Sequence, residues 1–326
     1  MTIATIPGST YFVLAQENEN YHPPMWLQKT ANWAAEGQIS ESDFIEAYRY
    51  AIAHGWLQID PHGEENTTLT ISPSAKAIQA GQPNNCQDAN LPRVNWSGCN
   101  FSGVDLNHAD LHDSNLTGTN LAGANLYKAY LGYAHLEHSN LNYADIANAD
   151  MPGVYIQHAS LVGALGQYLN LRFADMTGAD LSGAHLRESS VNWAVLENVT
   201  LVNTDFTHSE FLSSDISWAN AKGANFQESQ LIGVNFREAN ASGANFMSAD
   251  LSNANFTGTD LSGANLKNAG LGFTILRNAN LSFANLNHAD LGNADLTGAN
   301  LTNADLTGTV LAGANLHCTG NPVCIH

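Results

Sequence analysis

The chain has 326 residues, of which 11 are basic and 30 acidic, giving a formal net charge of −19. That balance excludes a protein that grips nucleic acid by neutralising phosphates, since no basic stripe is present to release counterions. The length allows two domains, and the composition shifts near residue 84, with 3 basic and 9 acidic residues before it and 8 and 21 after it.

Residues 1–21 are polar and are expected to gain order only where they touch something. The apolar run Tyr11–Ala15 has no basic segment before it, so Met1–Gln16 does not read as a secretory leader. A cytoplasmic location is therefore favoured, with a periplasm or lumen left open if a leader has been removed. No run of 18 apolar residues occurs, so no membrane span is expected.

After Pro23 and Pro24, the spacing of Trp26, Leu27, Ala31 and Ala34 predicts a helix over Met25–Ala35 that ends at Gly37. Ser40, with Asp43 three residues on, reads as an N-cap. Phe44, Ala47, Tyr48, Ala51 and Ile52 then form one helical face up to Gly55. Two short strands, Trp56–Ile59 and Thr68–Ile71, and a brief helix from Ser72 to Ala80 complete a mainly helical module over residues 1–83. A DNA-reading helix-turn-helix is excluded by sign, since the second helix carries Glu41, Asp43 and Glu46 against Arg49 alone.

From Leu91 to Leu316 a large apolar residue recurs at every fifth position without a slip; Gly166, Ala221 and Ala241 are the exceptions. Two residues earlier the chain places something small, with Leu169 the single large occupant. One residue earlier it favours Asn or Asp, so the unit reads A-(N/D)-L-x-x. Five α-helical steps advance about 500°, which would scatter the leucines around the helix. On a straight strand an odd repeat would send them to alternate faces. A chain that turns one corner per unit buries large and small residues together. It winds a coil around an apolar axis, each rung about 4.8 Å from the next. The second residue after the Leu is often Gly, as at Gly118, Gly123, Gly178 and Gly183, which suits a corner.

This unbroken A-(N/D)-L-x-x register resembles the pentapeptide-repeat family. The resemblance implies an all-β solenoid over residues 84–317, a right-handed quadrilateral β-helix with four units per coil, followed by a tail over residues 318–326. Residues 1–83 then read as a cap. An open β-helix end exposes unpaired backbone and an apolar axis, which a helical module can cover.

Within the repeat the outward positions from Ala219 to Gly313 are mostly small and polar. Between Tyr127 and Trp218, nine aromatics fall in outward slots: Tyr127, Tyr130, Tyr133, Tyr143, Tyr155, Tyr168, Phe173, Trp193 and Trp218. His135, His138, His158, His185 and His208 join them. Stacking accounts for some, since Phe173 and Trp193 are four units apart and would lie one above the other in the implied coil. The set as a whole reads as a partner-binding surface, because Tyr and Trp carry much of the affinity of protein interfaces.

His138 and His158 share a corner slot on adjacent rungs with His135 nearby, but no third ligand is forced, so no metal site is expected. The four cysteines make no metal pattern. Cys86 and Cys99 read as small core residues. Cys318 and Cys324 bracket a segment that turns at Gly320, Asn321 and Pro322, so they can form a disulfide that pins the tail over the last coil. Catalysis finds no foothold, since aspartates spaced by fives form rows rather than a convergent acid–base pair. Motifs for a nucleophile elbow, a phosphate loop or a zinc helix are absent, and no cofactor is expected.

Two functions remain. One is a non-enzymatic scaffold that binds a protein through the aromatic surface. The other follows from the resemblance, because some family members imitate DNA and occupy DNA gyrase, and an acidic rod suits that role. The uninterrupted register and the short segment after Leu316 depart from that pattern.

Overall fold

A computed structural model describes Ile3–Thr5, Phe12–Leu14 and residues 93–325. The chain divides into two compact units, Met1–Thr70 and Ile71–His326. In the first, β1 (Ile3–Thr5) pairs antiparallel with β2 (Phe12–Leu14), with Ile3 opposite Leu14 and Thr5 opposite Phe12. These two strands fall in the lead-in expected to gain order only where it touches something; Ile3, Thr5, Phe12 and Val13 are residue types that favour a strand. The helices and later strands expected in residues 25–80 lie outside the described residues.

In the second unit every rung pairs in parallel with the rung four repeats on, from Asn95 with Asn115 to Asp295 with Asn315. Each coil therefore has four sides, one per repeat. The backbone bonding follows a fixed scheme. The large residue's N–H donates forward to the next coil, as Leu111 does to the Tyr130 carbonyl at 2.7 Å. The Asn/Asp position donates backward, as Tyr130 does to the Ala109 carbonyl at 2.9 Å. Within a unit, the small residue donates to the preceding large one and closes a tight turn, as Ala109 does to Leu106 at 3.0 Å.

The corners have one geometry throughout. Their second residue is left-handed at every unit from Gly98 (φ 69°) to Gly313 (φ 73°). The Asn/Asp side chain steadies the corner that follows it, since its Oδ1 accepts the N–H two residues on, as Asn125 does from Tyr127 at 3.1 Å.

The inward residues form one continuous core, with Leu111 through Leu301 buried at nearly every large slot. Small-slot hydroxyls are satisfied by the coil before. Thr204 donates to the Leu181 carbonyl at 2.8 Å and Ser229 to the Phe206 carbonyl at 2.7 Å. Ser139 Oγ has no such partner. Ala221 and Ala241 fall among the coils where Phe206, Phe226, Phe236, Phe246 and Phe256 fill the axis by stacked and edge-on contacts. Large rings take the volume that the two alanines leave.

Gly166 leaves no void. The position a Cβ would take there lies 2.5 Å from Leu186 Cδ2 and 3.3 Å from Leu169 Cδ2, so leucines from two sides close over it. The rung keeps its pairing, with Leu165 bridged to His185 and Asn170 to Ser190. At the C-terminal end Leu306, Leu311 and Leu316 are only partly buried, and Val323 and Cys324 pack against the same core. Cys318 is bonded to Cys324 with Cα atoms 5.0 Å apart. The tail slips the register by one, since Asn300 bridges to Thr319. Cys99 is buried in the core, as its slot implies, and it is also disulfide-bonded, which the sequence reading did not anticipate. A spacing rule for metal ligands gives no reason to expect that bond.

Candidate protein-binding surface

The four-sided coil assigns each outward aromatic to a side, and the nine do not form one zone. Tyr127 and Tyr168 belong to one side of the coil, Tyr143 and Trp218 to two other corners. Tyr143, Tyr168 and Trp218 stand well into solvent at 68%, 52% and 51% exposure. The remaining five, Tyr130, Tyr133, Tyr155, Phe173 and Trp193, gather along a single corner column and the two sides that meet there.

That column is held by backbone hydrogen bonds between corners. The N–H of Asp113 donates to the Gly132 carbonyl, Tyr133 to Pro152, Gly153 to Arg172, Phe173 to Asn192 and Trp193 to Leu212, at 2.7–3.0 Å. Along it the rings pack in sequence. His112 and Tyr130 lie 5.3 Å apart, and His135 stacks on Tyr155 at 4.7 Å. Phe173 stacks on Trp193 at 5.2 Å with planes 11° apart, as their four-unit separation suggested. The Arg172 guanidinium reaches both rings, 5.9 Å from the Phe173 centroid and 5.3 Å from that of Trp193.

Glycine at the next corner makes room for a ring. A Cβ on Gly153 would meet the Tyr133 ring, and one on Gly163 would meet the Tyr143 ring. Each of these rings lies over the glycine of the following coil. Burial is the main cause that lifts the Tyr133 phenol well above its ordinary range, with nearby Tyr130 and Tyr155 adding to it. Tyr155 is raised for the same first reason, with Asp175 next.

The backbone at these corners is the informative feature. Tyr133, Tyr143, Tyr168, Phe173, Trp193 and Trp218 all occupy the left-handed region, with φ between 57° and 61°. Glycine or asparagine adopts it readily, whereas a bulky side chain there costs roughly 1–2 kcal/mol. The edge also continues further than the aromatics alone suggest. Val195, Leu212 and Ile232 carry it on past Trp193, and Phe273 and Ile275 recur on it four coils beyond Trp193 and Val195. Sequence reading missed Arg172, Leu212 and Ile232, which only a residue table written with four units to a row would have brought into line.

The histidines do not assemble a metal site among the described residues. His138 and His158 stack at 5.3 Å, but His135 turns to Tyr155 and to Glu137 Oε1 at 2.9 Å. Among the described residues no helix is long and apolar enough to cross a membrane.

Models of pentapeptide repeats match residues 153–191, 168–201, 189–227, 229–268 and 274–313, and a pentapeptide repeat region matches residues 89–165. The chain belongs to the pentapeptide-repeat family. Comparison with curated proteins finds no match. Among solved structures it is similar to HetL, a pentapeptide repeat protein involved in heterocyst differentiation regulation from the cyanobacterium Nostoc sp. strain PCC 7120. The identity is 27% over 70% of this chain and 92% of that one, with a TM-score of 0.35. It is also similar to QnrB1, a plasmid-mediated fluoroquinolone resistance protein, at 19% identity over 57% and 89% of the two chains and a TM-score of 0.32. A third is a pentapeptide repeat protein of the Arabidopsis thaliana thylakoid lumen, at 31% identity over 30% and 64% and a TM-score of 0.20.

Proposed function

We propose that this protein is a non-enzymatic scaffold whose coil, right-handed as in the family it belongs to, binds another protein through the edge bearing Tyr130, Tyr133, Tyr155, Phe173 and Trp193. The observation that carries this reading is the gathering of Tyr133, Phe173 and Trp193 at left-handed corners of one column, flanked by Tyr130 and Tyr155. Glycine would relieve the strain at each, and strain of this kind persists where a side chain is needed. Tyr127, Tyr143, Tyr168 and Trp218 lie on other sides and are secondary contacts in this reading. The N-terminal module, residues 1–83, serves as a cap.

The acidic DNA-mimic reading has less support. A mimic needs carboxylates in continuous rows, yet no two Asp or Glu residues follow one another in any column of the Asn/Asp slot. In one column Asp150, Asn170, Ser190, Glu210, Gln230 and Asp250 succeed each other, so charge is diluted by neutral residues.

The test is affinity capture of the partner from a lysate of the source organism, followed by quantitative binding. Replacing Tyr133, Phe173 and Trp193 with Ser is expected to lower affinity at least tenfold at both low and high salt. Replacing Asp110, Asp150, Asp180 and Asp205 with Asn is expected to lower it by less than about threefold, since exposed carboxylates contribute little beside the rings. The reverse pattern, or inhibition of DNA gyrase supercoiling by the unaltered protein, overturns the scaffold reading.

A further inference from the structure

The aromatic edge is straight and periodic, and its geometry restricts what can lie on it. From Tyr133 to Ile232 successive coils present Tyr133, then Tyr155 beside Gly153, then Phe173, then Trp193 with Val195, then Leu212, then Ile232. At about 4.8 Å per coil, five coil steps give an apolar line of about 24 Å. A partner lying along this line must offer side chains at a matching interval. An extended strand presents one face every two residues, or about 6.6 Å, and loses register with the coils after one or two steps. An α-helix presents one face every turn, about 5.4 Å, and stays within about half a coil over four turns. The periodicity therefore favours a helix of about 16 residues parallel to the coil axis.

Charge selects which helix. Asp110, Asp150 and Glu210 stand at intervals on one side of the edge and Asp175 and Asp215 on the other, with Glu137 at the corner beyond. On the edge itself Arg172 lies against the Phe173 and Trp193 rings, which already accept a guanidinium. A second copy of this chain would bring a net charge of −19 against the same sign. An apolar line between two acidic borders is complementary to a helix with an apolar stripe and Lys or Arg on both flanks.

We propose that the edge from Tyr130 to Ile232 seats a basic amphipathic helix of a partner protein, laid along the coil axis with about one apolar anchor per coil. This rests on the scaffold reading and narrows it to a class of partner. The occupant is defined by its periodicity and flanking charge, so synthetic peptides can stand in for it.

The experiment measures binding of fluorescein-labelled peptides to the full chain by anisotropy. The probes are a 16-residue Leu/Lys peptide with helical amphipathic spacing, a peptide of the same composition scrambled to abolish that spacing, and a Leu/Glu peptide with the helical spacing. The Leu/Lys peptide is expected to bind at micromolar concentration and to gain helical circular dichroism. The scrambled and Leu/Glu peptides are expected to bind at least tenfold more weakly. A variant with Phe173→Asn, Trp193→Asn and Leu212→Ser is expected to lose tenfold or more; asparagine is chosen because it tolerates the left-handed corner. A variant with Phe283→Asn, on another corner and outside the proposed surface, is expected to bind as the parent does.

Equal binding of the scrambled peptide would reduce the effect to generic acid–base attraction and overturn the proposal. So would equal losses in the two variants, or no binding of the Leu/Lys peptide. Should the captured natural partner depend on Phe173 and Trp193 while the Leu/Lys peptide fails, the helix proposal falls and the scaffold reading stands. Should both fail, both fall.

Discussion

Asn170 shows what the Asn/Asp slot requires of each residue. Its Nδ2 donates to Asp150 Oδ1 one rung below at 2.6 Å, and its own Oδ1 accepts the Arg172 N–H at 3.2 Å. The same ladder joins Asn225 to Asp205 and Asn280 to Asp260. An amide can serve both neighbours, whereas a carboxylate at the same place would face another about 4.8 Å away. Asn170→Asp is therefore expected to destabilise the protein by about 1 kcal/mol at neutral pH and low salt. Urea melts at low and high NaCl check this, since the loss must shrink with screening.

Tyr133 makes a second case at this scale. Burial, first among its causes, holds its phenol protonated beyond its ordinary range, while in the unfolded chain it ionises near pH 10. The folded pKa is raised, so this contribution to stability is fully present below about pH 10 and is lost as pH rises from there through the folded value. Tyr133→Phe is expected to flatten the alkaline limb of a pH–stability curve between about pH 10 and 12 and to leave neutral stability nearly unchanged. A curve identical to the parent's in that range would contradict the assignment.

At the scale of a corner and its neighbouring coils, side chain and glycine act as a pair. Gly153 is left-handed at φ 61° and lies under the Tyr133 ring, so a methyl group there meets both backbone strain and a ring. Gly153→Ala is expected to cost about 2–3 kcal/mol, and adding Tyr133→Ser should return the steric part but not the backbone part. A double-mutant cycle by thermal unfolding separates the two, and strictly additive losses would show that ring and glycine are independent. Gly166 differs because its backbone is ordinary; there the obstacle is Leu186, and Gly166→Ala should cost about 1–3 kcal/mol through overpacking alone.

These pairs also mark the limit of legibility in the sequence. A five-residue period is enough to infer a corner per unit and to place Leu111 or Ala124 inward, because no helix or flat strand buries them together. It does not say how many sides close a coil, since any number gives the same inward pattern. Without the four sides, Tyr127 and Trp193 look like neighbours in one surface; with them, the two separate to different sides. The contacts of Tyr133 with Gly153 and of Arg172 with Trp193 depend on side-chain lean between coils, which periodicity does not encode. The Cys99 disulfide was hidden for a similar reason, because its slot alone accounts for its burial.

Across the whole coil, stability is passed from neighbour to neighbour. Each rung bonds only to the rungs before and after it, so a solenoid of this kind opens from its ends inward. In the interior, coils from Phe206 to Phe256 have stacked rings and full pairing. At the C-terminal end Leu306, Leu311 and Leu316 are half-covered, and the tail reaches back to donate the Ile325 N–H to Leu316 at 2.8 Å. The Cys318–Cys324 bond closes that short segment and keeps Val323 against the core. Removing it should therefore act locally. A Cys318→Ser, Cys324→Ser variant, which leaves the Cys99 disulfide in place, is expected to lose about 2 kcal/mol of protection at this end. Hydrogen exchange should quicken over residues 296–316 and stay unchanged over residues 206–256. Uniform acceleration along the coil would mean that the terminal bond supports global rather than end-to-end stability, and no change at residues 296–316 would mean that the tail does not hold the last coil shut.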